Sequence, residues 1–118
     1  MIYVKVNEVL YPASIETITV DRTWDRRSSK IIRLTMTANE ASQIFIDDVS
    51  WSIVERYEEE NEQIIQNEYD NSEFCIAGDI IDHRNGEVSV KMGKLTDNEA
   101  LNIIMGGTYN EQSTSNEI

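Results

Sequence analysis

One histidine, one cysteine and 22 acidic side chains are the groups with which this 118-residue chain could do chemistry. Asp79-x-x-Asp82-His83 offers two or three metal ligands within one turn's reach. A strand entering a turn, however, sends successive side chains to opposite faces, so Asp82 and His83 diverge. The segment reads as a solvated turn, and neither a metal nor another cofactor is expected. Serine hydrolysis would need His83 beside an activated serine, and no serine stands in a nucleophile elbow. Carboxylate pairs are plentiful, but a chain this short rarely builds the deep cleft that acid–base hydrolysis requires. Cys75 lies between Phe74 and Ile76 and reads as a buried spectator thiol with no disulfide partner. The five glycines (Gly78, Gly86, Gly93, Gly106 and Gly107) fall at turn and cap positions and form no phosphate-cradling loop. No catalytic constellation emerges, so the protein is not expected to be an enzyme.

The remaining chemistry is recognition. Arg22, Arg26, Arg27, Lys30 and Arg33 supply five of the ten positive charges within one short stretch, with Trp24 among them. Arg and Trp are the residues most enriched at binding hot spots. Two readings stand side by side. Arg22, Trp24, Arg26, Arg27 and Lys30 form a docking surface for another protein subunit, or the arm pairs with the acidic segment at 55–62 of the same molecule, at little gain per surface pair. The net charge of −12 disfavours nucleic acid and anionic membrane as partners. No apolar run approaches the roughly 20 residues of a membrane span. The first residues alternate like a strand, without the basic start of a secretion signal, which leads to the expectation of a cytoplasmic protein.

The elements that must carry these residues are mostly strands. Ile2, Val4 and Val6 alternate with Tyr3 and Lys5, Asn7-Glu8 turns the chain, and Val9-Leu10-Tyr11 returns. Pro12 ends or edges that pairing. Ile15, Ile18 and Val20 continue in extended form with a bulge, because 15 and 18 differ in parity. A polar turn over 21–30 leads into the alternation of Ile32, Leu34 and Met36. Val49, Trp51 and Ile53 open another strand, with Trp51 in the core. It runs to a hairpin tip at 58–62 and back through 63–66. Phe74, Ile76 and Ile80 extend again, with a kink or bulge at Ala77-Gly78. Asn85-Gly86 predicts a two-residue type I′ hairpin into Val88, Val90 and Met92. The fold class is therefore mainly β (a β-sandwich or partly open barrel, mostly antiparallel) with two short α-helices near 38–46 and 97–105. Residues 1–107 make a single β-rich domain, and 108–118 a flexible polar tail.

Both helices open on a capping box, Thr37-Ala38-Asn39-Glu40 and Thr96-Asp97-Asn98-Glu99. Apolar pairs follow each, and Gly106-Gly107 is expected to close the second helix. Each box also follows a strand preceded by an Asp- and Arg-bearing turn. A duplicated strand–turn–strand–helix unit is one explanation; coincidence is the other, since T-x-x-E before an apolar run is common.

Asp21-Arg22-x-Trp24-Asp25-x-Arg27-x-Ser29-Lys30-x-Ile32-x-Leu34-x-Met36 carries a resemblance. Ala41-x-x-x-Phe45-x-Asp47-Asp48-x-x-Trp51-Ser52-Ile53 adds to it. So do Tyr69-Asp70-Asn71-Ser72-x-Phe74-Cys75-x-Ala77-Gly78-Asp79-Ile80-x-Asp82-His83-Arg84 and Lys91-Met92-Gly93-Lys94-Leu95-Thr96. Over most of residues 1–107 the chain resembles small uncharacterised proteins encoded in the tail and baseplate gene regions of phages and prophages of Gram-positive (Firmicutes) bacteria. In that family a glycine commonly stands in the Trp-Asp-x-Arg turn, where this chain has Arg26. The resemblance implies a non-enzymatic virion structural or assembly protein, made in the bacterial host cytoplasm and carried into the virion or used in building it. Its expected partners are other phage structural proteins or further copies of itself. The alternative is a carbohydrate- or ligand-binding module of a host-recognition apparatus, with Trp24, Tyr11 or Tyr57 as an aromatic platform.

Overall fold

The computed structural model of the chain describes residues 1–58 and 64–105. Seven strands and two helices follow in the order β1 (Ile2–Val6), β2 (Val9–Asp21), β3 (Arg27–Thr35), α1 (Ala38–Ile44), β4 (Trp51–Glu58), β5 (Ile64–Asp70), β6 (Ile76–Asp82), β7 (Glu87–Gly93) and α2 (Asp97–Ile104). All strand pairings are antiparallel, and the strands form one unclosed sheet in the order β5-β4-β1-β2-β3-β7-β6. The chain is thus mainly β with two short helices, as its alternation and capping boxes lead one to expect.

The long strand β2 joins the two halves of the sheet. Its first residues pair with β1, from Val6↔Val9 to Tyr3↔Pro12, and the remainder pairs with β3. Pro12 is the last partner of β1 but does not end the strand. Asn7 and Glu8, with φ of 51° and 67°, form the tight turn between β1 and β2. No bulge separates Ile15 from Ile18, which pair with β3 in unbroken register and face opposite sides of the sheet; the bulge in β2 lies further on, between Ile18 and Asp21, and the one expected in β6 lies between Ala77 and Ile80. The Asn-Gly hairpin differs from expectation. Positive φ falls on Arg84 and Gly86 rather than Asn85, and His83 N donates to Glu87 O. Arg84 N and Glu87 N donate to the side-chain oxygens Asp82 Oδ1 and Asn85 Oδ1, which stabilise a longer loop than a two-residue turn.

One face of the sheet carries the core. Val4, Val6, Ile32, Leu34, Val88, Val90 and Met92 point to it from the strands, and Ala41, Phe45, Trp51 and Phe74 fill it. Phe45 meets Trp51 edge-to-face at 6.5 Å, and the Trp51 indole donates to Phe74 O at 3.0 Å. Helix α1 packs on β6 and β7 over this face. Both capping boxes are complete, with Thr37 and Thr96 each accepting from the N3 amide while Glu40 and Glu99 reach back.

Helix α2 behaves differently. It buries no residue and leaves Leu101, Ile103, Ile104 and Met105 exposed. The two proposed units meet through β3 and β7, each a bulged hairpin leading to a capped helix, but their helices do not occupy equivalent places: α1 is packed and α2 is not. The Gly106-Gly107 helix end, the 59–62 part of the acidic tip and the tail at 108–118 lie outside the described residues.

Candidate functional site

The arginine- and tryptophan-bearing turn between β2 and β3 folds onto the sheet face opposite the core. Asp21 O accepts from Trp24 N and Arg26 N, and Trp24 O from Arg27 N. Asp25 and Arg26 take φ of 57° and 62°, the left-handed backbone that glycine would adopt without strain. Trp24 lands on two glycines. A Cβ on Gly78 would sit 2.6 Å from the indole edge, and one on Gly93 2.7 Å from it. Only glycine on β6 and β7 lets the ring approach this closely. The Arg27 guanidinium lies 4.9 Å from the ring centroid and the Lys91 ammonium 5.9 Å.

Two ion pairs fix the turn. Asp21, 4% exposed, accepts from Thr23 N and Oγ1 on one oxygen and from Ser29 Oγ and Lys91 Nζ on the other. The Lys91 hydrogen bond, followed by that from Thr23, holds its carboxyl far below the usual carboxylate range. Arg27 donates through both terminal nitrogens to Glu99, at 2.8 and 3.1 Å, and to Lys94 O at 3.1 Å. The same hydrogen bonds depress the Glu99 carboxyl, against a smaller opposing effect of burial. Glu99 therefore serves twice, as capping-box residue of α2 and as partner of a buried arginine. Arg27 Nε has no hydrogen-bond partner among the described residues.

The five expected binding residues are thus divided. Arg27 is buried and Trp24 half-buried, both committed to contacts within the chain. Lys30 projects to the core face, where it reaches Thr17 Oγ1 and lies 5.2 Å from the Phe74 ring. Arg22 and Arg26 are exposed and make no side-chain hydrogen bond or ion pair among the described residues. The buried arginine pairs with the second helix cap, not with the acidic 55–58 segment. Tyr11 and Tyr57 lie on the core face, away from Trp24, so the three do not form one platform. A groove of about 440 Å³ beside the Trp24 ring is lined by Thr23, Ala77, Gly78, Asp79 and Lys91.

Two cations of the arrangement are neutralised by close carboxylates, Arg27 by Glu99 and Lys91 by Asp21. His83 is half-buried rather than solvated; its Nε2 lies 2.7 Å from Ser89 Oγ. Among the described residues no carboxylate orients this imidazole, and no group of three His, Cys, Asp or Glu side chains converges. Cys75 is half-buried instead of buried, and its thiol is pushed up by that burial and by Asp48. No protein-family model, curated protein or solved structure matches the chain.

The site residue that sequence reasoning missed is Glu99. Its signal was a capping-box glutamate; nothing local announces a second partner 72 residues away. Gly78 and Gly93, read from the sequence as turn or cap glycines, instead lie in β6 and β7 against the Trp24 ring; a glycine inside a strand is the signal that could have found this close approach.

Proposed function

We propose that the protein is a non-enzymatic structural or assembly component of the phage or prophage tail-region type, acting through protein–protein contacts. Helix α2 carries this reading. Four apolar side chains stand exposed along it, Ile104 at 80% and Met105 at 76%. Among the described residues, Glu99 is the one α2 side chain hydrogen-bonded to the sheet, and it lies in the first turn. A two-turn helix is marginal in water by itself, and its stability ordinarily comes from packing an apolar face. A partner with an apolar groove, receiving α2 as a short amphipathic anchor, supplies that packing. The sequence resemblance suggests that the partner is another tail-region structural protein.

The test is the double variant Leu101→Asp with Ile104→Asp. The reading expects an unchanged fold and loss of the chain from assembled tail particles or their assembly intermediates. Normal incorporation of the variant would overturn it.

The groove beside Trp24 favours a second reading, a ligand-binding module. Titration with neutral mono- and disaccharides, followed by the Trp24 indole N–H resonance, tests it; an unmoved resonance argues against it.

A further inference from the structure

The two edges of the sheet are built differently. At the β6 edge a bulge at Gly78-Asp79 interrupts the strand. The α1–β4 connection also covers this edge: Asp47 Oδ1 accepts from Ala77 N at 2.9 Å, and Asp48 N donates to Cys75 O at 2.7 Å. Bulges and covering loops are the usual protection of an edge. Among the described residues the β5 edge has none of these. Its seven residues pair with β4 without a bulge, every one is exposed, and it contains no proline or lysine.

The hydrogen-bond phase of β5 follows from one contact. Asn71 N donates to Trp51 O, in register with the Ser52↔Asp70 and Ile53↔Tyr69 pairs. Odd residues of β5 thus turn their amides toward β4, and Ile64, Gln66, Glu68 and Asp70 turn theirs outward. We infer that this edge pairs antiparallel with β5 of a second copy, about a two-fold axis at Asn67. The inference gives a partner to the contact-protein reading above and rests on that reading only for its biological use.

The register is selected by the strand itself. Centred on Asn67, all seven residues are opposed. Gln66 meets Glu68 of the other copy, and Ile64 meets Asp70, as hydrogen-bonded pairs of outward-facing residues. Ile65 meets Tyr69, an aromatic–β-branched pair, on the other face. No acid opposes an acid. Moving the axis to Glu68 would set two glutamates against each other, and moving it to Gln66 would leave Tyr69 and Asp70 unpaired. An odd shift would oppose outward amides to inward ones. A self-complementary patch is what a closed two-fold dimer requires. One strand pair buries little area, so association belongs to the weak class. Because each chain carries a net charge of −12, added salt should strengthen it.

Sedimentation of the full chain across a concentration series tests this, with Gln66→Pro and Ile65→Lys as variants. Gln66 N faces outward, so proline there leaves the backbone ladder to β4 intact and removes a donor to the second copy; it also removes the amide oxygen that accepts from Arg56, a loss that Gln66→Ala reproduces alone as the control. The expected result is a concentration-dependent dimer that Gln66→Pro abolishes and Ile65→Lys weakens at least tenfold. Hydrogen exchange should show the Gln66 and Glu68 amides gaining protection with concentration, while Ile65 and Asn67 are protected throughout. A monomer at all concentrations, or a dimer indifferent to Gln66→Pro, would overturn the inference. Either result leaves the α2 reading standing, because that reading is tested by α2 variants in tail particles.

Discussion

Glu99→Gln removes the charge of the Arg27–Glu99 pair and one of its two acceptors: an oxygen in the Oε1 place still accepts from Thr96 N and Arg27 Nη1, while the amide NH2 faces Arg27 Nη2. The substitution leaves the Arg27 guanidinium, whose side chain is 4% exposed, without its principal counter-charge. Breaking a fully buried pair costs about 3–5 kcal/mol. Glu99 is 21% exposed, and Asp25 lies 3.6 Å from Arg27 on the solvent side, so solvent and a second carboxylate screen part of the loss. The expected cost is about 2–3 kcal/mol. For a domain of this size that corresponds to a fall in Tm of roughly 10–20 °C. Urea unfolding followed by tryptophan fluorescence measures it. Arg27→Met in the Glu99→Gln background should recover part of the loss, giving a coupling of at least about 1 kcal/mol in the double-mutant cycle. A change below about 0.5 kcal/mol for Glu99→Gln would refute the argument that this ion pair anchors the turn to the second helix cap.

Gly93→Ala sets a methyl 2.7 Å from both the Trp24 ring and Arg27 Cδ, and should cost about 1–3 kcal/mol in urea unfolding and blue- or red-shift the tryptophan emission as the ring is displaced. Asp21 and Glu99 both have folded-state pKa values depressed below their unfolded ones. Their contribution is therefore complete above the ordinary carboxylate range, from about pH 5 upward, and is lost as pH falls through that range toward the folded values. A urea midpoint that holds from pH 7 to pH 5 and then drops, with a shallower acid loss in Asp21→Asn, is the expected profile.

The strands were legible because their side chains obey a local rule. Alternation and turn residues located the β1–β2 turn, but parity at Ile15 and Ile18 misplaced the bulge in β2: those residues pair in unbroken register on opposite faces, and the bulge follows Ile18. The capping boxes were legible for the same reason: both partners lie within four residues. The hairpin at Asn85-Gly86 was misjudged because the side chains of Asp82 and Asn85 compete for backbone amides and lengthen the loop. The candidate site was only half legible. A run of arginines at a turn looks like surface, and whether one of them is buried depends on a glutamate that arrives only after β7 has paired with β3. The stripe on α2 was read correctly as apolar, but sequence spacing says nothing about whether a surface lies beneath it, and the described residues provide none.

We propose that the chain works by offering surfaces, α2 foremost. The most direct measurement compares stability with assembly for Leu101→Asp/Ile104→Asp. Both side chains are already exposed, Leu101 at 52% and Ile104 at 80%, so the urea midpoint should stay within the roughly 0.5 kcal/mol typical of surface changes while incorporation into tail particles is lost. A loss of about 2 kcal/mol or more would mean that the face packs within the chain, and a variant incorporated like the parent would mean that no partner uses it.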